Sequence, residues 1–341
     1  MKTSEEKRNG KKSVILKIIR IIFVCLLVIA ALVFGLYKLV TYQWQDEPVS
    51  YDTTNPYITE LGDTMVAAHR GGRSLFPQGT MMAFEGCVNS QTFEADIIEF
   101  DVRLTADEKL IILHDETLDE VTDAVEYFGK TENYPEDYTY EEIYNLNFGE
   151  YFKINDGEMP YKGLRGEDIP DNLRVATVTD ALTYLEKSGG YYYSIEIKSS
   201  GESGLKSADI LYDILSEMNL IDRTVVASFN RDVISHLEEN YPDLTRTAVN
   251  VEVVKLYVDS LFDIDRPDGY YKFDVLQVPP DRYIVNMGTS RLVNHAHKNN
   301  IAVCYWTIND EEKMEFLQSI GADGIITDVP DVACKVLKTE K

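Results

Sequence analysis

The chain has 341 residues, 44% of them apolar and 27% charged, which excludes a small module or a largely disordered chain and fits one large domain with an accessory segment. Its formal charge of −25 is unevenly placed: residues 1–20 carry seven Lys or Arg against two Glu, a net of +5 that leaves −30 on the rest. A body this acidic repels nucleic acid, and any anionic substrate needs a local cation to override the field.

The first element is the uncharged, proline-free run Ile21–Tyr37. As a helix it spans about 25 Å, and Lys17, Arg20 and Lys38 can snorkel to complete a membrane crossing. Tyr37, Tyr42 and Trp44 suit an interfacial aromatic belt. A cleaved signal peptide is the competing reading, but the run is long for a signal and no small-x-small site follows. The basic excess before the run puts the N-terminus in the cytoplasm and the rest of the chain outside the cell. The expected organisation is therefore a basic cytoplasmic segment (1–20), a single-pass anchor (21–40), a polar linker (41–62) and one domain (63–341).

From Met65 onward apolar runs alternate with helical patterns. The strand candidates are Met65–Ala68, Ile97–Val102, Leu110–Leu113, Tyr192–Ile197, Thr224–Ala227, Thr245–Val249, Val275–Val278, Ile301–Tyr305 and Gly324–Ile326. Several are near-continuous apolar stretches, as strands buried on both faces require. Asn230 is placed to cap a helix over Arg231–Glu239, and Asn309 with Glu312 resembles a capping box for a helix through Ser319. The alternation predicts an α/β fold, a (β/α)8 TIM barrel. Nine candidates for eight places, with only Ala106–Lys109 between the second and third, predict a hairpin that adds an extra strand. Residues 115–174, rich in Tyr and acids, break the rhythm and read as an insertion after the third strand, over the active-site face. Asn155-Asp156-Gly157-Glu158 fails the spacing of a calcium loop and reads as a turn. Cys25 lies in the apolar run, and the three remaining cysteines, an odd number without CxxC spacing, predict neither a disulfide framework nor a zinc site, only small buried hydrophobes.

Chemistry concentrates at strand ends. His69-Arg70-Gly71-Gly72 closes the first, Glu99-Phe100-Asp101 lies in the second, His114-Asp115 closes the third, and a later strand reads Ser194-Ile195-Glu196-Ile197-Lys198. Glu99 and Asp101, two apart, point to one face among apolar neighbours, so something positive must balance them. Alone, the pair reads as a partner for Arg or Lys at a barrel rim. With Glu196 it makes an oxygen-rich site for a hard divalent cation, Mg²⁺ or Ca²⁺. His69 and His114, flanking these carboxylates, suit general acid and base roles. Arg70 and Lys198 offset charge on non-bridging phosphate oxygens, and the glycines let backbone N–H groups approach an oxyanion. His236, His295 and His297 are read as surface residues.

The segments AAHRGG (67–72), FPQGTMMAF (76–84), ADIIEFDVRLTAD (95–107), LIILHDETLDEVTD (110–123), SIEIK (194–198), VVASFN (225–230), CYWTIND (304–310) and GADGIITDVP (321–330) stand in the order of one known family. The chain resembles the glycerophosphodiester phosphodiesterases. The resemblance implies a (β/α)8 barrel that hydrolyses glycerophosphodiesters to glycerol 3-phosphate and an alcohol with a divalent metal. It implies Glu99, Asp101 and Glu196 as metal ligands, His69 and His114 as the acid–base pair, Arg70 and Lys198 on the phosphate, and Trp306 walling the glycerol site. Pro77-Gln78-Gly79-Thr80 departs from the family's Pro-Glu-Asn-Thr, an amide replacing a carboxylate. With a membrane anchor, a lysophospholipid or an envelope glycerophosphate polymer is an alternative substrate, and a non-catalytic tethered binding domain is the alternative to an enzyme.

Overall fold

The computed structural model describes residues 4–42, 44, 46–154 and 157–338. The turn read at Asn155-Asp156 lies outside the described residues, as do the first three residues of the basic segment. One helix, α1 (Ser4–Thr41), precedes the barrel, and its stretch Lys17–Thr41 is long and apolar enough to cross a membrane.

The barrel strands are β1 (Met65–Ala68), β2 (Ile97–Leu104), β4 (Tyr192–Ile197), β5 (Thr224–Ala227), β6 (Thr245–Arg246), β7 (Val275–Val278), β10 (Ala302–Tyr305) and β11 (Gly324–Thr327). They pair in parallel in the order β6-β5-β4-β2-β1-β11-β10-β7, and a bridge between Thr247 and Val275 brings the two ends together. β3 (Leu110–Ile112) folds back antiparallel on β2, the extra strand of the predicted hairpin. A two-residue pair, β8 (Asp281–Arg282) and β9 (Val285–Asn286), stands outside the barrel. The helices are α2 (Met81–Val88), α3 (Ala124–Phe128), α4 (Tyr140–Tyr144), α5 (Val178–Ser188), α6 (Gly201–Glu217), α7 (Arg231–Asn240), α8 (Asn250–Phe262), α9 (Ser290–Lys298), α10 (Glu311–Ser319) and α11 (Pro330–Leu337).

The period-2 alternation of the strands sorts side chains into two environments. Ile98, Phe100 and Val102 of β2 join the large core under the helices, whereas Ile97, Ala67, Val225, Val275, Ala302, Cys304 and Ile326 fill the barrel's interior. Tyr57 plugs the strands' N-terminal mouth, 2% exposed and edge-on to Tyr192. Among the described residues its hydroxyl has no hydrogen-bond partner. Tyr57→Ala is expected to cost about 3 kcal/mol through the cavity it leaves. Tyr57→Phe is expected to be neutral or stabilising by about 1 kcal/mol, because it removes an unpaired buried hydroxyl. Denaturant unfolding checks both.

Three local expectations are corrected. Thr245–Val249 is a strand only to Arg246, because Val249 already occupies the cap of α8 with its N–H on Glu252 Oε2 at 3.0 Å. α10 is capped by Asp310, which accepts from the Lys313 N–H, and not by Asn309. Asn230 holds the cap position of α7 without a side-chain cap, its amide donating instead to the carbonyls of Lys198 and Ser199.

His295 and His297 are not surface residues; they are 5% and 3% exposed. They diverge as their spacing requires, but α9 is covered on both flanks. His297 Nε2 meets Asp323 Oδ2 at 2.8 Å, and Asp323 also accepts from the N–H groups of Val303 and Thr59. His295 lies toward the acidic end of α8, and burial pushes its pKa down. The 41–62 segment does much of the covering: Arg291 pairs with Asp46, Asn294 with the Glu47 carbonyl, and Asn55 donates to Asp274 and Asn300 carbonyls. His236 is partly exposed and pairs with Asp209 at 2.6 Å.

The insertion has its own small core, in which Leu118, Val121, Ile143, Leu146 and Phe148 pack against Ile111 and Val175. Its residues Phe148, Tyr151 and Phe152 wall a cavity shared with Arg73, Gln78 and Asp328.

Candidate active site

All eight residues singled out from the sequence line one cavity at the C-terminal ends of the strands: His69, Arg70, Glu99, Asp101, His114, Glu196, Lys198 and Trp306. β2 supplies Glu99 and Asp101 on its inward face, and register places Asp101 directly beside Glu196 of β4. Desolvation and the Asp101 charge push the Glu99 pKa well up, opposed by the Arg70 N–H that donates to Glu99 Oε2 at 2.8 Å. Burial and Asp101 likewise raise that of Glu196, opposed by Lys198.

That N–H is aimed by an unusual backbone. Arg70, Gly71 and Gly72 take φ of 50°, 74° and 81°, three consecutive left-handed residues. Glycine is required at 71, where a Cβ would meet Ala83 Cβ at 3.0 Å. The Arg70 side chain then returns over the carboxylates, Nε 3.5 Å from Asp101 Oδ2, while Lys198 Nζ lies 3.0 Å from Glu196 Oε1 and 3.6 Å from Asp101 Oδ1.

These cations occupy the space between the acids, and among the described residues no three His, Cys, Asp or Glu stand close enough to cage an ion as placed. The donor set nevertheless suits a hard cation. It is three carboxylates in one cavity, and Asp101 Oδ2 is buried without a hydrogen bond. Its ion pair with Arg70 Nε, at 3.5 Å, leaves both atoms without a hydrogen bond, so the oxygen keeps the capacity to take a ligand.

Each histidine is backed by a carboxylate that sequence reasoning did not single out. His69 Nδ1 lies 2.5 Å from Asp328 Oδ1, and His69 Nε2 faces the cavity 4.0 Å from Glu99 Oε2. Asp328 is itself held by Asn309, whose amide donates to Oδ2 and whose carbonyl accepts the Asp328 N–H, both at 2.9 Å. Burial opposes the Asp328 charge, but the bonds from His69 and Asn309 hold its pKa below the ordinary carboxylate range. His114 Nδ1 lies 3.0 Å from Asp115 Oδ1. Burial opposes that charge too, and His114 and the nearby arginines hold it low. An acid at Nδ1 favours the tautomer with its proton there and leaves Nε2 free toward the cavity. Only the position of Asp328 after a strand, inside GADGIITDVP, and of Asp115 beside His114 hinted at these roles.

Gln78 links the two halves. Its Oε1 accepts from the Arg70 guanidinium at 2.7 Å and its Nε2 donates to Asp115 Oδ2 at 3.4 Å. A carboxylate there would keep the first contact and repel Asp115. Trp306 meets Phe229 edge-on with ring centroids 6.4 Å apart, and Lys198 Nζ sits 5.9 Å from the Phe229 ring. These two rings form the apolar wall.

Residues 69–332 match the glycerophosphoryl diester phosphodiesterase family. The chain belongs to that family. It is 26% identical over 282 residues to a glycerophosphodiester phosphodiesterase of Bacillus altitudinis, covering 82% of this chain and all of the relative. A similar protein of Caldanaerobacter subterraneus is 28% identical, with 81% and 98% covered. An Oleispira antarctica phosphodiesterase, solved with the product sn-glycerol-3-phosphate, superposes with a TM-score of 0.61 at 17% identity over 81% of this chain and 97% of that one. The family's residues thus begin at His69 and take in both Asp–His pairs and all three cavity carboxylates.

Proposed function

We propose that this family member hydrolyses glycerophosphodiesters to glycerol 3-phosphate and an alcohol, with Glu99, Asp101 and Glu196 holding one divalent cation, Mg²⁺ or Ca²⁺. The observation that carries the reading is the convergence of two Asp-backed histidines, three carboxylates, Arg70 and Lys198 on one cavity. The cation, when bound, supplies positive charge to a phosphoryl oxygen. Arg70 and Lys198 leave the acids for the non-bridging oxygens and offset the charge that develops there. Of His69 and His114, one takes the proton of the attacking oxygen at Nε2 and the other delivers a proton to the leaving alkoxide. The Trp306 and Phe229 rings exclude water and receive the apolar edge of the glycerol.

The helix α1 favours a single-pass anchor with its N-terminus in the cytoplasm and the barrel outside, and with it a lipid-derived or envelope substrate as the second reading.

Purified full-length chain is expected to release glycerol phosphate from glycerophosphocholine only with Mg²⁺ or Ca²⁺, and to stop on chelation. Release insensitive to chelator would overturn the metal assignment, and no release from any diester would favour a binding domain. The raised pKa of Glu99 and Glu196 adds a pH signature. Their folded values exceed the ordinary 4.5, so their contribution to stability is present below that pH and is lost as pH rises through the folded values. A cation binds the ionised acids and reverses the loss. The gain in Tm on adding cation is therefore expected to grow with pH above 4.5, as calorimetry checks.

A further inference from the structure

The apolar run of α1 ends at Tyr37, and by Val40 the chain already touches the barrel. The Tyr257 hydroxyl of α8 donates to the Val40 carbonyl at 3.3 Å, and Leu39 and Val40 pack against the main core. Trp44 follows, with the Arg291 guanidinium 4.1 Å from its ring centroid. Three helical residues advance about 4.5 Å, while the headgroup layer beside the hydrocarbon is about 5–8 Å deep. No spacer lifts the barrel clear of the lipid.

The parts of the barrel that α1 meets there are apolar on their outer side. α1 ends beside β9 and α8. On α8 the outward positions Val251, Val254, Val258 and Phe262 are 62%, 61%, 40% and 60% exposed. They recur at helical spacing opposite the buried Leu256, Tyr257 and Leu261. Lys255 shares this outer face and can snorkel. The tip of the β8–β9 hairpin presents Tyr283, 96% exposed, and Ile284, 58% exposed. Tyr283 takes a φ of 57° in a two-residue turn, a place where Asn or Gly would sit without strain. An aromatic held there against its backbone preference, fully outside the fold, has no packing role within it.

We propose that Val251, Val254, Val258, Phe262, Tyr283 and Ile284 form a seating surface sunk in the headgroup layer of the bilayer that α1 spans. The inference rests on the reading of α1 as an uncleaved anchor. Valine and phenylalanine enter the apolar side of the interface, and Tyr283 takes the amphipathic position that aromatic belts use. The surface is continuous with the catalytic mouth. Thr247 and Ala248, just before α8, and Gln277 of β7, just before the hairpin, line the cavity, and Phe229 at the same mouth is 55% exposed. Seating therefore holds the rim of the cavity beside the lipid surface.

The test uses the full chain in phosphatidylcholine–phosphatidylglycerol vesicles, with Cys25→Ser removing the exposed thiol of α1. An environment-sensitive fluorophore is placed by Tyr283→Cys, by Val254→Cys, or by Lys187→Cys on the exposed side of α5. Positions 283 and 254 are expected to emit blue-shifted light and to be quenched by lipid-borne nitroxide, and position 187 only by aqueous iodide. Iodide quenching at 283 and 254 equal to that at 187, in protein that resists carbonate extraction, overturns the seating surface alone. Release of the chain by carbonate overturns the anchor reading and the surface with it. A blue shift without lipid quenching, growing with protein density, assigns the patch to a second copy and also overturns the proposal.

Discussion

Glu99→Gln is expected to lower metal-dependent turnover by about 10³-fold, the loss of roughly 4 kcal/mol of transition-state stabilisation, while raising the Tm of the metal-free protein. The two effects have one cause. Glu99 is buried beside Asp101, and both desolvation and that neighbour oppose its charge. The amide keeps the shape and still accepts the Arg70 N–H, so the left-handed turn at 70–72 is undisturbed. It removes one of three negative charges, which relieves repulsion without metal and weakens the grip on a cation. Relief worth about 1 kcal/mol moves the Tm of a domain this size by about 2–4 °C. The growth of the cation-induced Tm gain with pH should shrink in the same variant. Unchanged turnover, or a fall in Tm, would remove Glu99 from the metal site and make it a partner of Arg70 alone.

The barrel was legible because its strands are short apolar runs buried on both faces, and a continuous run such as Ile97–Val102 has few other places to go. The carboxylates were legible for the opposite reason: Glu99, Asp101 and Glu196 violate that apolar pattern. What escaped depends on contacts distant in sequence. Asp328 is an ordinary acid after an ordinary strand until β11 is set beside β1, which brings it to His69. Asn309 looked like a helix cap and is spent on Asp328 instead. His295 and His297 looked exposed because nothing in α9 shows that the 41–62 segment and α8 close over it. The apolar outer face of α8 carries a helical period like any core-facing stripe, and only the structure shows which stripe faces out.

Asp328→Asn is expected to reduce kcat by about 10²–10⁴-fold, nearly as much as His69→Ala. In the proposed mechanism the carboxylate, 2.5 Å from Nδ1 of His69, holds the proton there, keeps Nε2 turned to the cavity, and stabilises the imidazolium whenever Nε2 carries a proton. The amide preserves the bonds to Asn309 poorly and can present its own N–H to Nδ1, which reverses the tautomer and leaves Nε2 protonated and unable to accept. If Asp328 acts only through His69, the double variant should be no slower than His69→Ala, because groups that work as one unit do not add. KM should stay within a few-fold in both, since neither residue is among those offered to the phosphate. His114→Ala supplies the comparison: a similar fall in kcat marks it as the second proton-transfer group, whereas a change confined to KM makes it a binding residue. Full additivity of Asp328→Asn with His69→Ala would show Asp328 acting elsewhere, through Arg73 or Asn309.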